Sequence, residues 1–144
     1  IVILLLSILA AVALPNFFDF ATDARKAVTK DEMVAIKRAI VGDSRVSSGG
    51  TYVFPGYEAD LGAPPGALGS LTTNPGTGDA TVSYNPLART GWRGPYVDSS
   101  TLSDYLNDAW GTAYYFTTSP RVIRSWGKDK ADDTGGDDDI SLTY

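Results

Sequence analysis

The sequence predicts an α+β fold in which one long N-terminal helix packs on a small antiparallel sheet. Three observations predict it. Apolar residues keep a helical spacing from the first residue to about residue 40. A stretch rich in Gly, Pro, Thr and Asn follows over residues 51–80. Short β-branched and aromatic runs, bounded by turn residues, then recur through the C-terminal half. A chain of 144 residues suffices for one globular unit with an appendage.

The helix divides into two parts. Residues 1–14 (IVILLLSILAAVAL) are apolar on every face, with one hydroxyl and no charge, and such a helix cannot lie on an ordinary soluble domain. At a rise of about 1.5 Å per residue the run is about 21 Å long, short of the roughly 30 Å of a bilayer's hydrocarbon. The expectation is that the chain begins partway into a longer hydrophobic segment. Pro15 has no N–H to bond the Ala11 carbonyl, so a kink or a local opening is expected there. Beyond it Phe17, Phe20, Ala21, Ala24, Ala27, Val28, Val34, Ala35, Ala39 and Ile40 continue at spacings of three and four among charged residues. Asp23 and Lys26 stand at a helical neighbour spacing that aids solubility more than stability. Ser47-Ser48-Gly49-Gly50 supplies the expected stop, since Gly tolerates the left-handed turn that ends helices. Residues 1–20 are thus expected to serve a membrane or a filament core, and residues 21–48 to rest on a head of residues 49–144.

Within the head, Pro55-Gly56, Pro64-Pro65-Gly66 and Asn74-Pro75-Gly76 signal turns, with a short helix expected over residues 67–71. Strands are expected over residues 80–84, 113–118, 122–126 and 140–144.

Composition excludes several function classes. A net charge of -5, a pI near 4.5 and the lack of any basic cluster argue against direct nucleic-acid binding. Without His or Cys, the chain lacks the usual ligands of zinc, haem and iron–sulfur centres, and any thiol or imidazole chemistry. A hard cation held by oxygen atoms is still open to it. Lack of Cys also removes any disulfide that would report the redox compartment.

The N-terminal segment admits three readings: a cleaved signal peptide, a plain anchor, and a helix used twice. Ala11-Val12-Ala13 fits the small-x-small pattern of a signal-peptidase site. A cut there would leave a mature chain starting inside a continuous helical pattern, whereas such sites lie in extended backbone. A plain anchor explains the apolar run but not why its period continues for roughly 45 Å beyond the bilayer. A helix of that shape needs partners along its length.

On the residues Ser7-Ile8-Leu9-Ala10-Ala11-Val12-Ala13-Leu14-Pro15-Asn16-Phe17, the segment resembles the N-terminal helix of type IV pilins and of type II secretion pseudopilins. The resemblance implies a mature start about seven residues before Ile1, with a methylated aromatic residue and a nearby Glu. Restoring about seven residues brings the apolar helix to roughly 31 Å, the thickness of a bilayer core. A second match runs through Gly91-Trp92-Arg93-Gly94-Pro95-Tyr96-Val97, Leu102, Asn107-Asp108-Ala109-Trp110-Gly111-Thr112-Ala113-Tyr114 and Ser125-Trp126-Gly127-Lys128-Asp129. It is similar to the major pseudopilin, which carries W-x-G-P-Y-L, D-P-W-G-x-x-Y and S-x-G-x-D in this order; Ala109 stands where Pro is usual. Read without the family, Trp92, Trp110 and Trp126 are core aromatics.

The acidic segment Asp129, Asp132, Asp133, Asp137, Asp138 and Asp139 is either a solvated loop or a calcium site. Calcium takes six to eight oxygen ligands, and Gly135-Gly136 lets the chain fold back so that several converge. The spacing is not that of an EF-hand. The pseudopilin resemblance implies calcium in this loop, with Asp129 as first ligand, the Trp126 carbonyl contributing, and further ligands among Asp137, Asp138 and Asp139.

Catalysis is not expected. The acidic residues share one turn-rich segment rather than facing walls of a cleft, and no nucleophile elbow, P-loop or dinucleotide fingerprint occurs. The expected function is assembly, as a pilin-fold subunit of a helical homopolymer. Its core is expected to be built from Ile1, Leu5, Ile8, Leu9, Val12, Pro15, Phe17 and Phe20. The resemblance implies a single-pass stay in the bacterial inner membrane before assembly, and afterwards a periplasmic or extracellular filament. Minor pseudopilins or pilins and assembly-platform proteins are the implied partners. A surface pilus for adhesion, motility or DNA uptake is the alternative, and lack of the disulfide usual in pilus subunits favours the secretion role. A monomeric, membrane-anchored periplasmic binding domain is a further alternative, separable because it would not self-associate.

Overall fold

The computed structural model describes residues 2–76, 83–98, 104–136 and 138–144, and the side chains of these apart from 4–6, 8–19, 51 and 104. Among these residues the fold is α+β, as expected. The helix α1 spans Val2–Val41, 40 residues and about 60 Å at the standard rise. Its backbone stays helical across Pro15.

The helix stops earlier than its serines and glycines suggested. Gly42 adopts the left-handed conformation (φ 89°), and its N–H closes the last turn on the Arg38 carbonyl at 2.8 Å. A Cβ on Gly42 would lie 2.6 Å from the Phe54 carbonyl oxygen, so the position needs glycine for space as well as for φ. Ser47-Ser48-Gly49-Gly50 instead builds a hairpin: β1 (Ser47–Ser48) pairs antiparallel with β2 (Thr51–Tyr52). Positive φ at both Gly49 and Gly50 is what a tight two-residue hairpin turn requires.

A second helix, α2 (Gly56–Leu61), was not expected, because Pro55-Gly56 read as a turn. It buries Tyr57 and Leu61, and ends on Gly62, whose N–H bonds the Glu58 carbonyl at 2.7 Å. The short helix expected over 67–71 forms as a 3₁₀ turn, Leu68–Leu71. A further 3₁₀ turn covers Asp104–Leu106.

Three strands make the C-terminal sheet: β3 (Tyr115–Thr118), β4 (Arg121–Ser125) and β5 (Ile140–Thr143), antiparallel in the order β3-β4-β5. In the register Phe116 opposes Ile123, and Ile123 opposes Leu142, so the fully buried Ile123 lies at the sheet's centre. Of the strand expected over 80–84, residues 80–82 lie outside the described residues; Ser83 makes a single bridge to Trp92.

The core forms where α1 meets the head. Met33, Ile36, Ala39 and Ile40, spaced by three and four, pack with Tyr57, Leu61, Leu68, Leu71, Trp110, Tyr114, Ile123 and Ile140. Trp110 is therefore core, Trp92 packs against that core, and Trp126 is half-buried. Two ion pairs fasten α2 to the rest of the head: Arg121 to Glu58, and Arg93 to the buried Asp60 at 3.1 Å, where the Tyr96 hydroxyl also donates at 3.0 Å.

Candidate metal centre

The acidic segment links β4 to β5 and folds back on itself. Gly127 turns the chain with φ 65°, and Asp138 lies against it: a Cβ on Gly127 would be 2.6 Å from Asp138 Oδ2. Left-handed backbone at Lys130, Thr134 and Gly135 completes the reversal. Asp133 and Gly136 close a turn at 3.1 Å, and Gly136 and Asp139 another at 3.0 Å.

The carboxylates have two roles, and Asp129 and Asp138 serve in both: Asp129 Oδ1 also accepts Ala131 N at 2.8 Å. Several hold the loop's own backbone. Asp138 Oδ2 accepts the N–H groups of Lys128 and Asp129. Asp139 Oδ2 accepts those of Asp133 (3.1 Å) and Gly135 (2.8 Å). Asp132 accepts from Thr134 N at 2.9 Å and pairs with Arg124 at 2.9 Å, which offsets its charge. The second role is convergence: Asp129, Asp133 and Asp138 each place one carboxylate oxygen within 4.8 Å of the other two.

That spacing suits a hard cation, because two oxygens bound to one calcium at about 2.4 Å each can lie up to about 5 Å apart. An orphaned acceptor stands in the same loop: Asp139 Oδ1 is buried and has no hydrogen-bond partner. The converging candidate set is thus Asp129, Asp133 and Asp138, while Asp139 Oδ1 lies in the same loop but is not part of that set.

Of the residues expected at the site, Asp129 and Asp138 are brought together, Asp139 is held in the loop by its other oxygen, and Asp137 lies outside the described residues. Trp126 leads directly into the Gly127 turn. Asp133 was part of the acidic run but not among the expected ligands; the Gly135-Gly136 reversal is what carries it beside Asp129.

The residues expected in a filament core are described only in part. Ile1 lies outside the described residues, and the side chains of Leu5, Ile8, Leu9, Val12, Pro15 and Phe17 are not described. Phe20 is 72% exposed, and Val2 and Ile3 are 69% and 83% exposed. Among the described residues, buried positions on α1 begin at Thr29, and no helix is long and apolar enough to cross a membrane. Compared with family models, with characterised proteins and with solved structures, the chain gives no match in any of the three.

Proposed function

We propose that the chain is a structural, non-enzymatic subunit of a helical filament of the type IV pilin class, acting as the major pseudopilin of a type II secretion system. One observation carries the reading: a 40-residue helix that opens on a stretch apolar on every face and whose described buried positions start only at Thr29. Apolar surface that the head does not bury is stabilised by lipid or by identical neighbours, and a head-to-tail contact between copies that does not close generates a filament. The subunit waits in the inner membrane with residues 1–20 in the bilayer. On extraction, the same residues pack with their copies in the periplasm, and minor pseudopilins and platform proteins act as partners. Continuous helix across Pro15 is the unassembled state; opening there belongs to assembly, where lost helical bonds lengthen the subunit.

The reading includes a calcium ion in the loop between β4 and β5, held by Asp129, Asp133 and Asp138 and completed by backbone carbonyls. The ion would neutralise carboxylates that otherwise repel, and so order the segment leading into β5.

Sedimentation in detergent and electron microscopy of assembly-competent cells expressing the chain test the reading. It requires self-association in detergent, and periplasmic filaments without long external fibres. A strict monomer that forms no filament in cells would point to the anchored binding domain, and long external fibres to a surface pilus.

A further inference from the structure

We propose that a buried hydrogen-bond strut couples the acidic loop to the seat of α1, so that loosening the loop loosens the helix at the point where it leaves the head. The strut has four links. Gly127 N donates to Ser125 Oγ at 3.1 Å, and Ser125 Oγ donates to Asp108 Oδ2 at 2.5 Å. Asp108 Oδ1 accepts Trp110 N (3.0 Å) and Thr112 N (2.8 Å), which makes residues 108–112 one tight turn. From that turn Ala109 N donates to Thr29 Oγ1 on α1 at 3.2 Å.

Each side chain in this series is sealed from water: Thr29 and Ser125 are 0% exposed and Asp108 is 5% exposed. A buried polar group that loses its partner has no water to replace it, so these links resist being broken one at a time and shift together. The loop end is gripped from both sides. Gly127 N is held by Ser125, while the next two amides, of Lys128 and Asp129, are held by Asp138. At the helix end, Thr29 is the first buried position of α1 among the described residues, and one turn later Glu32 accepts the Tyr114 hydroxyl at 2.7 Å. Movement of the 127–129 turn is thereby passed through Ser125 and Asp108 to the helix face that seats α1. This inference concerns the single chain and stands apart from the filament reading.

Amide hydrogen exchange of the full chain in detergent tests it and needs no filament. Asp138→Ala removes the acceptor for two loop amides, and exchange should quicken not only over residues 126–139 but also, roughly tenfold, at Ala109 and over residues 29–33. Asp138→Leu, which keeps the side chain's approximate shape but offers no acceptor, serves if the alanine chain does not fold. In a Thr29→Val background, where volume is kept and the hydroxyl lost, the same loop change should reach Ala109 but no longer the helix. Thr29→Ser should restore the helix response. A response to Asp138→Ala confined to residues 126–139, or a helix response equally large with Thr29→Val, would overturn the strut.

Discussion

The two halves of α1 share one continuous backbone, yet the described buried positions fall in only one of them. From Thr29 to Val41 the helix places Met33, Ile36, Ala39 and Ile40 in the core of its own head. Before Thr29, the described large apolar side chains Val2, Ile3, Phe20 and Val28 are exposed, although the sequence is more apolar there than in the half the head covers. Hydrophobicity along a helix therefore does not mark where the domain core lies. The amphipathic half is seated within the chain, and the described large apolar side chains before Thr29 are left uncovered by the head; the filament reading assigns them to lipid or to other chains.

Substitutions that act on one half alone can break this contrast. The largest expected effect is from Leu9→Lys, which should abolish filaments while leaving the head's melting temperature unchanged, because the cost falls on packing between copies. Normal filament yield, read by electron microscopy, would refute the packing. Ile36→Ala should do the opposite. It removes a fully buried side chain from the head core and should lower unfolding free energy by about 2–5 kcal/mol in urea denaturation, with chain association in detergent retained.

Smaller effects sharpen the picture of the head. Chelation should lower the melting temperature, since free calcium at 100 times its dissociation constant adds roughly 2.7 kcal/mol. Asp129→Ala should remove that shift, and the exposed Asp23 offers a control outside the loop, where alanine should leave it intact. Asp60 is unsuited as a control, being buried and bonded to Arg93 and Tyr96. Asp60→Ala should itself cost about 2 kcal/mol, the loss of a charge-assisted hydrogen-bond pair, with or without calcium. At the smallest scale lies alkaline titration. Burial foremost pushes the Tyr96 phenol up to about 12, from 10. The folded state prefers the neutral phenol, so this contribution is complete below pH 10 and is lost as pH rises towards about 12. Tyr96→Phe should make that part of the pH–stability curve shallower, leaving the fall due to Tyr57, Tyr114 and Tyr144, whose phenols burial also raises.

What was legible in the sequence was what depends on period. The helix and the β3-β4-β5 strands follow from spacings of three and four, or from β-branched and aromatic runs, and each formed within a few residues of expectation. What was not legible depends on contacts distant in the chain. Gly42 outranks Gly49 and Gly50 as the helix stop because the backbone of residues 54 and 55 crowds it, which no local pattern announces. α2 was hidden because its first residue, Gly56, follows a proline, yet Gly56 is glycine for close approach: a Cβ there would meet the Ile40 carbonyl oxygen at 2.7 Å. At the candidate metal centre the acidic run was plain, but which aspartates converge is set by left-handed backbone at Lys130, Thr134 and Gly135, which favours Asp133. Ala109, where the resembled motif carries proline, keeps an N–H and spends it on Thr29.

The contrast between the halves of α1 is tested most directly by cross-linking, because a chain without cysteine gives a clean background for introduced ones. Phe20→Cys should yield a disulfide-linked dimer, and a pair of cysteines within residues 2–28 a ladder of oligomers, when assembled material is oxidised. Ala39→Cys, at a position buried by the head, should leave the chain monomeric under the same treatment. Monomers alone at every helix position, in cells where the assembly machinery is active, would contradict the account.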